Sequence, residues 1–279
     1  SENGHPLTET FEEVNLEARV SVFGREFSAR TIRTLSLRPV RDEDGRTIIM
    51  RSQQTRGCTY DFLHRACGAP FFDLVLLGCE VGTDKFTDHS YWRPYGKYIA
   101  PLRHKKLKIL EIGIQNGASA LLWERYFPRA ELHGIDVVRT SGLEGTGVEE
   151  RGYSVYLGDQ ANVSFLSEVV AATGGEFDVI IDDGGHRMHQ MITSWQYLWS
   201  FVKPGGYYII EDISHAYMDH SRSADGRPGE IIDLIHNLSH SVIHCGLSQR
   251  PCRPDIASYE LFSELVVFTK DTDWSKSSP

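Results

Sequence analysis

A doubly wound α/β sheet is the fold that the sequence predicts, and two observations carry the prediction. From Lys108 onward, short apolar runs alternate with amphipathic stretches of helical period, the pattern of strands joined by crossover helices. The first of these runs, K-I-L-E-I-G-I-Q-N-G-A-S over Lys108–Ser119, is apolar enough for a strand buried on both faces. It breaks at two glycines spaced G-x-x-x-G and opens into A-S-A-L-L-W-E-R-Y-F, which has helical spacing.

The elements follow in order. Strand one is expected over Lys108–Ile112, with a helix over Ala118–Phe127 stopped by Pro128. Strand two covers Glu131–Asp136 and leads into a glycine-rich loop at Thr140–Gly152. Strand three, Tyr153–Leu157, closes on Gly158-Asp159-Gln160. A helix over Asn162–Thr173 precedes strand four, Phe177–Asp182. The next helix, Met188–Val202, is expected to stop at K-P-G-G, with a lysine in its last turn and then proline and glycine. Strand five is Tyr207–Ile210, and a long helix spans Glu230–His244. The tail, I-A-S-Y-E-L-F-S-E-L-V-V-F-T-K, alternates like two strands and predicts an antiparallel edge hairpin at the C-terminus.

Ahead of the sheet, residues 17–57 alternate in pieces around a turn-like D-E-D-G and predict hairpin material. Cys58–Val81 is richer in apolar residues and predicts helix. Residues 1–77 thus form a small N-terminal accessory segment, for subunit contacts or for covering the substrate side, and 78–279 form the main domain. Between them, residues 82–98 (G-T-D-K-F-T-D-H-S-Y-W-R-P-Y-G-K-Y) predict an aromatic, polar loop, with Asp84 and Lys85 as paired charges, placed to close over a ligand.

Composition removes several function classes. The chain has 279 residues and a net charge of −9, with no run of Lys and Arg, which argues against a nucleic-acid partner. No apolar stretch approaches the roughly 20 residues that span a bilayer, and the polar start is not signal-like. Five cysteines without a C-x-x-C pair predict reduced thiols and a cytoplasmic protein, and they argue against a zinc knuckle. No G-x-S-x-G elbow or P-loop is present.

The glycine turn identifies a ligand class. Gln115 stands where a dinucleotide G-x-G-x-x-G has its second glycine, so a pyrophosphate is disfavoured. Glu111, before the first glycine, suits an amino-bearing or cationic ligand. Asp136 ends strand two about 20 residues on, where a ribose diol is held. Together with Gly113 and Gly117, this pattern points to S-adenosylmethionine (SAM), and aromatic residues of the preceding loop suit its sulfonium. Asp159 and Gln160 lie where an adenine edge is read.

Two acidic pairs, Asp182-Asp183 and Glu211-Asp212, end strands four and five. Adjacent strand ends lie about 5 Å apart, so these carboxylates converge and repel unless a cation neutralises them or some take up protons. Oxygen ligands favour a hard divalent ion, Mg²⁺ first. His186, three residues past Asp183, suits a general base beside such an ion. His236, His240 and His244 stand at i, i+4, i+8 on one helix without H-E-x-x-H and read as a polar helix face or a substrate-facing lid.

With these motifs in place, the chain resembles the SAM-dependent O-methyltransferases of macrolide sugars, the macrocin and mycinamicin type. The resemblance rests on G-T-D-K with His89, Tyr91 and Tyr95, on L-E-I-G-I-Q-N-G-A-S, G-I-D, I-I-D-D-G-G-H, K-P-G-G and I-I-E-D-x-x-x-x-Y, and on the V-V-F-T-K tail. It implies a Rossmann-like methyltransferase domain and Mg²⁺ held by Asp183, Glu211 and Asp212, with His186 as general base. It also implies SAM among Glu111, Gly113, Asn116, Gly117, Asp136, Asp159 and Gln160, with Asp182 and Tyr91 close by. Departures are Gly185, where such enzymes often carry Ser, the link Ile213-Ser214-His215, and the first 75 residues, which show no match. The expected activity is O-methylation of a secondary-metabolite acceptor by a homo-oligomer. A metal-independent methylation of carboxylic acids or phenols, an NAD-binding oxidoreductase and a non-catalytic SAM-binding protein stand as alternatives.

Overall fold

The computed structural model describes residues 71–87, 89–217, 229–245 and 255–272, together with the backbone of four short N-terminal strands. Those strands are β1 (Ser21–Val22), β2 (Arg25–Glu26), β3 (Leu37–Arg41) and β4 (Thr47–Arg51). They form two antiparallel pairs, β1 with β2 and β3 with β4. The helix expected from Cys58 is described from Phe72 as α1 (Phe72–Val81); its earlier part lies outside the described residues.

The main sheet contains β5 (Lys108–Ile112), β6 (Glu131–Asp136), β7 (Ser154–Leu157), β8 (Phe177–Asp182), β9 (Val202–Ile210), β10 (Ile256–Leu261) and β11 (Val266–Lys270). Their spatial order is β10-β11-β9-β8-β5-β6-β7. Neighbours from β7 to β9 run parallel. Strand β11 runs antiparallel to both β9 and β10, so the expected terminal hairpin enters with β11 inserted beside β9 and β10 at the edge. The order reverses direction between β5 and β8, and a crevice opens there at the carboxyl ends.

Strand alternation splits the core between the two faces. On one face Ile109, Val179 and Ile181 pack with Leu74, Tyr95, Trp123 and Tyr126. On the other, Leu110, Ile112 and Ile180 pack with Leu166, Met188, Trp195 and Ile231. Helices α1, α3 (Trp92–Tyr98) and α4 (Ala118–Tyr126) supply the first layer. The second comes from α6 (Val163–Thr173), α7 (Met188–Leu198) and α8 (Glu230–Cys245).

Three expected loops or boundaries differ. The expected loop over 82–98 contains two helices, α2 (Asp84–Thr87) and α3. Pro94 sits in the first turn of α3, where the backbone N–H has no intrahelical partner to lose. The glycine-rich stretch after β6 contains α5 (Ser141–Thr146), capped by Thr140, whose Oγ1 accepts from the Leu143 N–H at 3.1 Å. The helix before strand five ends at Leu198, and K-P-G-G lies within β9, where the register with β8 shifts. Pro204 and Gly205 fall at this irregular start of the strand, where a ladder tolerates them. One cysteine also departs from expectation: Cys79 is disulfide-bonded.

Candidate active site

The crevice is a cleft of about 460 Å³ whose walls include Thr83, Gly113–Asn116, Asp136, Gln160, Asp183, His186 and Asp212. Its floor is the turn after β5. Gly113 has φ +84°, and a Cβ there would meet the Asp183 carbonyl oxygen at 2.0 Å, so only glycine fits. Gln115 adopts φ +41°, the left-handed conformation that a glycine would take without cost. Asp136 secures it, accepting from the Gln115 N–H at 2.8 Å and the Ile114 N–H at 3.1 Å. Thr140 adds a second tie by donating to the Gln115 carbonyl at 2.7 Å. Asn116 accepts from the Ala118 N–H at 3.1 Å and starts α4. Gly117, at φ +82°, is the last residue before that helix.

Of the residues expected around a cofactor, Gly113, Asn116, Asp136 and Gln160 line the cleft. Glu111 lies beneath it. The carboxylate is fully buried and accepts from Trp123 Nε1 at 2.9 Å and Tyr153 OH at 3.2 Å. Burial pushes its pKa up to about 7 against the pull of Lys85. Asp182 is likewise internal. It accepts from Gln160 Nε2 at 2.9 Å, Tyr208 OH at 3.1 Å and Ser194 Oγ, and burial raises it to about 6. Gln160 relays this knot to the wall by accepting from the Gly185 N–H at 2.6 Å. Asp159 is exposed and closes its own turn by accepting from the Ala161 N–H at 2.9 Å. At Gly185 a side chain would run into the end of Gln190, which occupies that space.

The acidic strand ends do converge, and a cation stands among them. Lys85 Nζ lies 2.6 Å from Asp183 Oδ2, 2.8 Å from Glu211 Oε2 and 3.8 Å from Glu111 Oε1, with 1% of the side chain exposed. Burial acts to lower the Lys85 pKa, but the three carboxylates outweigh it and hold the ammonium charged. Tyr95 OH donates to the other oxygen of Glu211. Tyr91 OH donates to Asp212 Oδ1 and accepts from the Asp212 N–H at 3.1 Å. Asp212 itself is left-handed, at φ +55°, a strained conformation at the mouth of the cleft. His89 Nδ1 lies 2.9 Å from Glu264 Oε2. Burial would lower the His89 pKa; the hydrogen bond to Glu264 and the nearby carboxylates raise it overall.

Asp183, His186 and Asp212 bring ligand atoms within 4.8 Å of one another, on the cleft wall. Asp183 and Asp212 offer a divalent cation hard oxygen ligands at this spacing, and the His186 imidazole stands beside them. Glu211, expected as a third ligand, stands behind them, engaged by Lys85 and Tyr95. His186 Nε2 is 3.6 Å from Asp212 Oδ2, and its ring meets the His215 ring edge-on at 4.5 Å. On α8, His236 and His240 are exposed and 3.3 Å apart at their Nε2 atoms; the His244 side chain lies outside the described residues.

Sequence reasoning missed the supporting shell. The sequence pairs Lys85 with Asp84, whereas its partners are Asp183 and Glu211; Tyr95 has no partner in the sequence reading, and Trp123, Tyr153, Ser194 and Tyr208 carry no signal at all. Strand parity was available for Glu111: it shares the face of Ile109, which packs against α4, the helix that carries Trp123.

The sheet order, with a single antiparallel strand next to the edge, is that of the Rossmann-like methyltransferase fold. Known proteins bear the likeness out in particulars. The chain is 31% identical over 198 residues to the mycinamicin VI 2''-O-methyltransferase of Micromonospora griseorubida, covering 67% of this chain and 48% of that protein. It is 32% identical over 184 residues to the demethylmacrocin O-methyltransferase of Streptomyces fradiae, covering 62% of this chain and 45% of that protein. Among solved structures, it is similar to the MycE methyltransferase of the mycinamycin pathway, captured with Mg, SAH and mycinamycin VI. That likeness has a TM-score of 0.63 at 27% identity and covers 71% of this chain and 53% of the other. The chain spans about half the length of the curated relatives it matches. No family model matches it.

Proposed function

We propose that this chain is a SAM-dependent O-methyltransferase that acts on a hydroxyl of a glycosylated or polyketide small molecule, with Mg²⁺ as its ion. One observation carries the reading: the Gly113–Asn116 turn, Asp136 and the Asp183–His186–Asp212 group share a single cleft. The likeness to sugar O-methyltransferases and to a methyltransferase holding Mg and SAH supports it.

SAM brings a methyl already activated on a sulfonium, so the protein's main task is to place the acceptor oxygen in line. Asp183 and Asp212 would hold the divalent ion, which when bound would supply polarisation of the acceptor hydroxyl. The backbone of the Gly113–Asn116 turn gives the cofactor a surface with no side chain at Gly113. His186 takes the hydroxyl proton, and the Asp212 carboxylate, 3.6 Å from Nε2, stabilises the imidazolium that forms.

Replacement of His186 by Ala tests the assignment. Methyl transfer is expected to fall about 10²- to 10⁴-fold, while binding of S-adenosylhomocysteine by calorimetry stays at the wild-type value. Undiminished turnover would remove His186 from the chemistry and favour an acceptor that is already an anion. Residues 1–77 are read as making subunit contacts in a homo-oligomer or as covering the substrate side, and a monomer mass in light scattering at micromolar concentration would argue against the first.

A further inference from the structure

We propose that the side chain of Gln160 is a positioning residue for His186, holding the Gly184-Gly185 turn so that the imidazole meets the cleft in one arrangement. The proposal rests on reading His186 as the general base.

The polar groups of this side chain are spent on the protein. Gln160 is 4% exposed. Its Nε2 donates to Asp182 Oδ1 at 2.9 Å and to Ser194 Oγ at 3.3 Å, and its Oε1 accepts from the Gly185 N–H at 2.6 Å. Both donors of the amide are thus used and its carbonyl is engaged. Asp182 and Ser194 are buried and joined to each other, since Ser194 Oγ donates to Asp182 Oδ2, so the far end of the strut is fixed. The near end needs fixing. Two successive glycines are the most freely jointed backbone that a chain offers, and Gly184 and Gly185 lead directly into His186. Both also lie against glutamines: a Cβ on Gly184 would meet Gln160 Oε1 at 2.0 Å, and one on Gly185 would meet Gln190 Oε1 at 2.1 Å. The tie is no by-product of the sheet ladder, because Gln160 follows β7, which does not neighbour β8. A general base works only within about 2.6–3.2 Å of the proton it takes. A misplacement of about 1 Å can cost on the order of 10²-fold.

The test follows the His186 ring itself. Protein labelled with ¹³C at the ε1 carbon of its histidines is compared by NMR as wild type, Gln160→Met and His186→Ala, each saturated with S-adenosylhomocysteine. His186→Ala identifies the His186 signal, among those of the 12 histidines, by its loss. One sharp His186 signal is expected in the wild type and a split or broadened one in Gln160→Met. S-adenosylhomocysteine affinity by calorimetry is expected to stay within about fivefold of wild type. Should Gln160→Met fail to fold by circular dichroism, Gln160→Asn takes its place. It keeps both polar groups but is one methylene too short to span them, and the same split is expected. A single sharp His186 signal in the folded variant overturns the proposal, as does a signal already split in the wild type. A larger loss of affinity makes the side chain a cofactor contact and overturns its assignment to the base. Failure of the base reading shows separately, as undiminished turnover of His186→Ala, and leaves the NMR comparison as it stands. A wild type that binds no S-adenosylhomocysteine overturns the methyltransferase reading, and the signals are then compared in the free protein.

Discussion

At Gly113 the cleft has no room for a methyl group, because the chain after β8 passes directly over it. Gly113→Ala is expected to cost about 2–4 kcal/mol and to abolish S-adenosylhomocysteine binding, as measured by denaturant melts and calorimetry. Glu111 gives a pH signature. Its pKa rises from 4.5 in the unfolded reference to about 7 in the fold. The folded protein thus keeps a proton that the unfolded chain releases, and this contribution is whole below about pH 4.5 and lost as pH rises through about 7. Glu111→Gln mimics the protonated form. Its stability relative to wild type, in ion-free buffer, is expected to grow by on the order of 3 kcal/mol between about pH 4 and pH 8. Denaturant midpoints across that range check it, and a flat difference would mean that Glu111 ionises as it does in water. Residues at strand ends were legible because topology alone places Asp136, Asp183 and Asp212 at one crevice. Lys85 was not legible, since a polar stretch before the sheet carries no periodicity that says where its cation goes.

At the level of elements, the parallel strands were readable because each is a short apolar run between turns, and β5, β6 and β8 match their expected bounds. The segment over 82–98 was harder. Its aromatics, glycines and Pro94 have loop composition, yet packing of Tyr95 against Trp123, at 5.4 Å between ring centroids, holds it helical. The same override made α5 from a glycine-rich stretch, with Thr140 as its cap. Thr140 also ties down the Gln115 carbonyl, so the cap is joined to the cofactor turn. Thr140→Ala is expected to lose about 1 kcal/mol and to weaken S-adenosylhomocysteine binding several-fold. Thermal melts and calorimetry on the same preparation test both, and unchanged cofactor affinity would show that Asp136 holds the turn unaided.

For the molecule as a whole, the reading stands on an ion requirement. Turnover on a sugar-hydroxyl acceptor is expected to vanish with excess EDTA and to return with Mg²⁺, while turnover indifferent to EDTA would turn Asp183 and Asp212 into acceptor contacts. Among the described residues no helix is long and apolar enough to cross a membrane. The ammonium between the strand ends also sets a sequence of events. Lys85 precedes Asp183 by 98 residues and Glu211 by 126. It therefore leaves the ribosome well before either partner exists, and at about 5–20 residues per second it waits many seconds for them. Until β9 is in place, the carboxylates of β8 have no complete surroundings. Completion of the candidate ion site is thus a late event in the birth of the chain, arriving after most of the sheet has already been made.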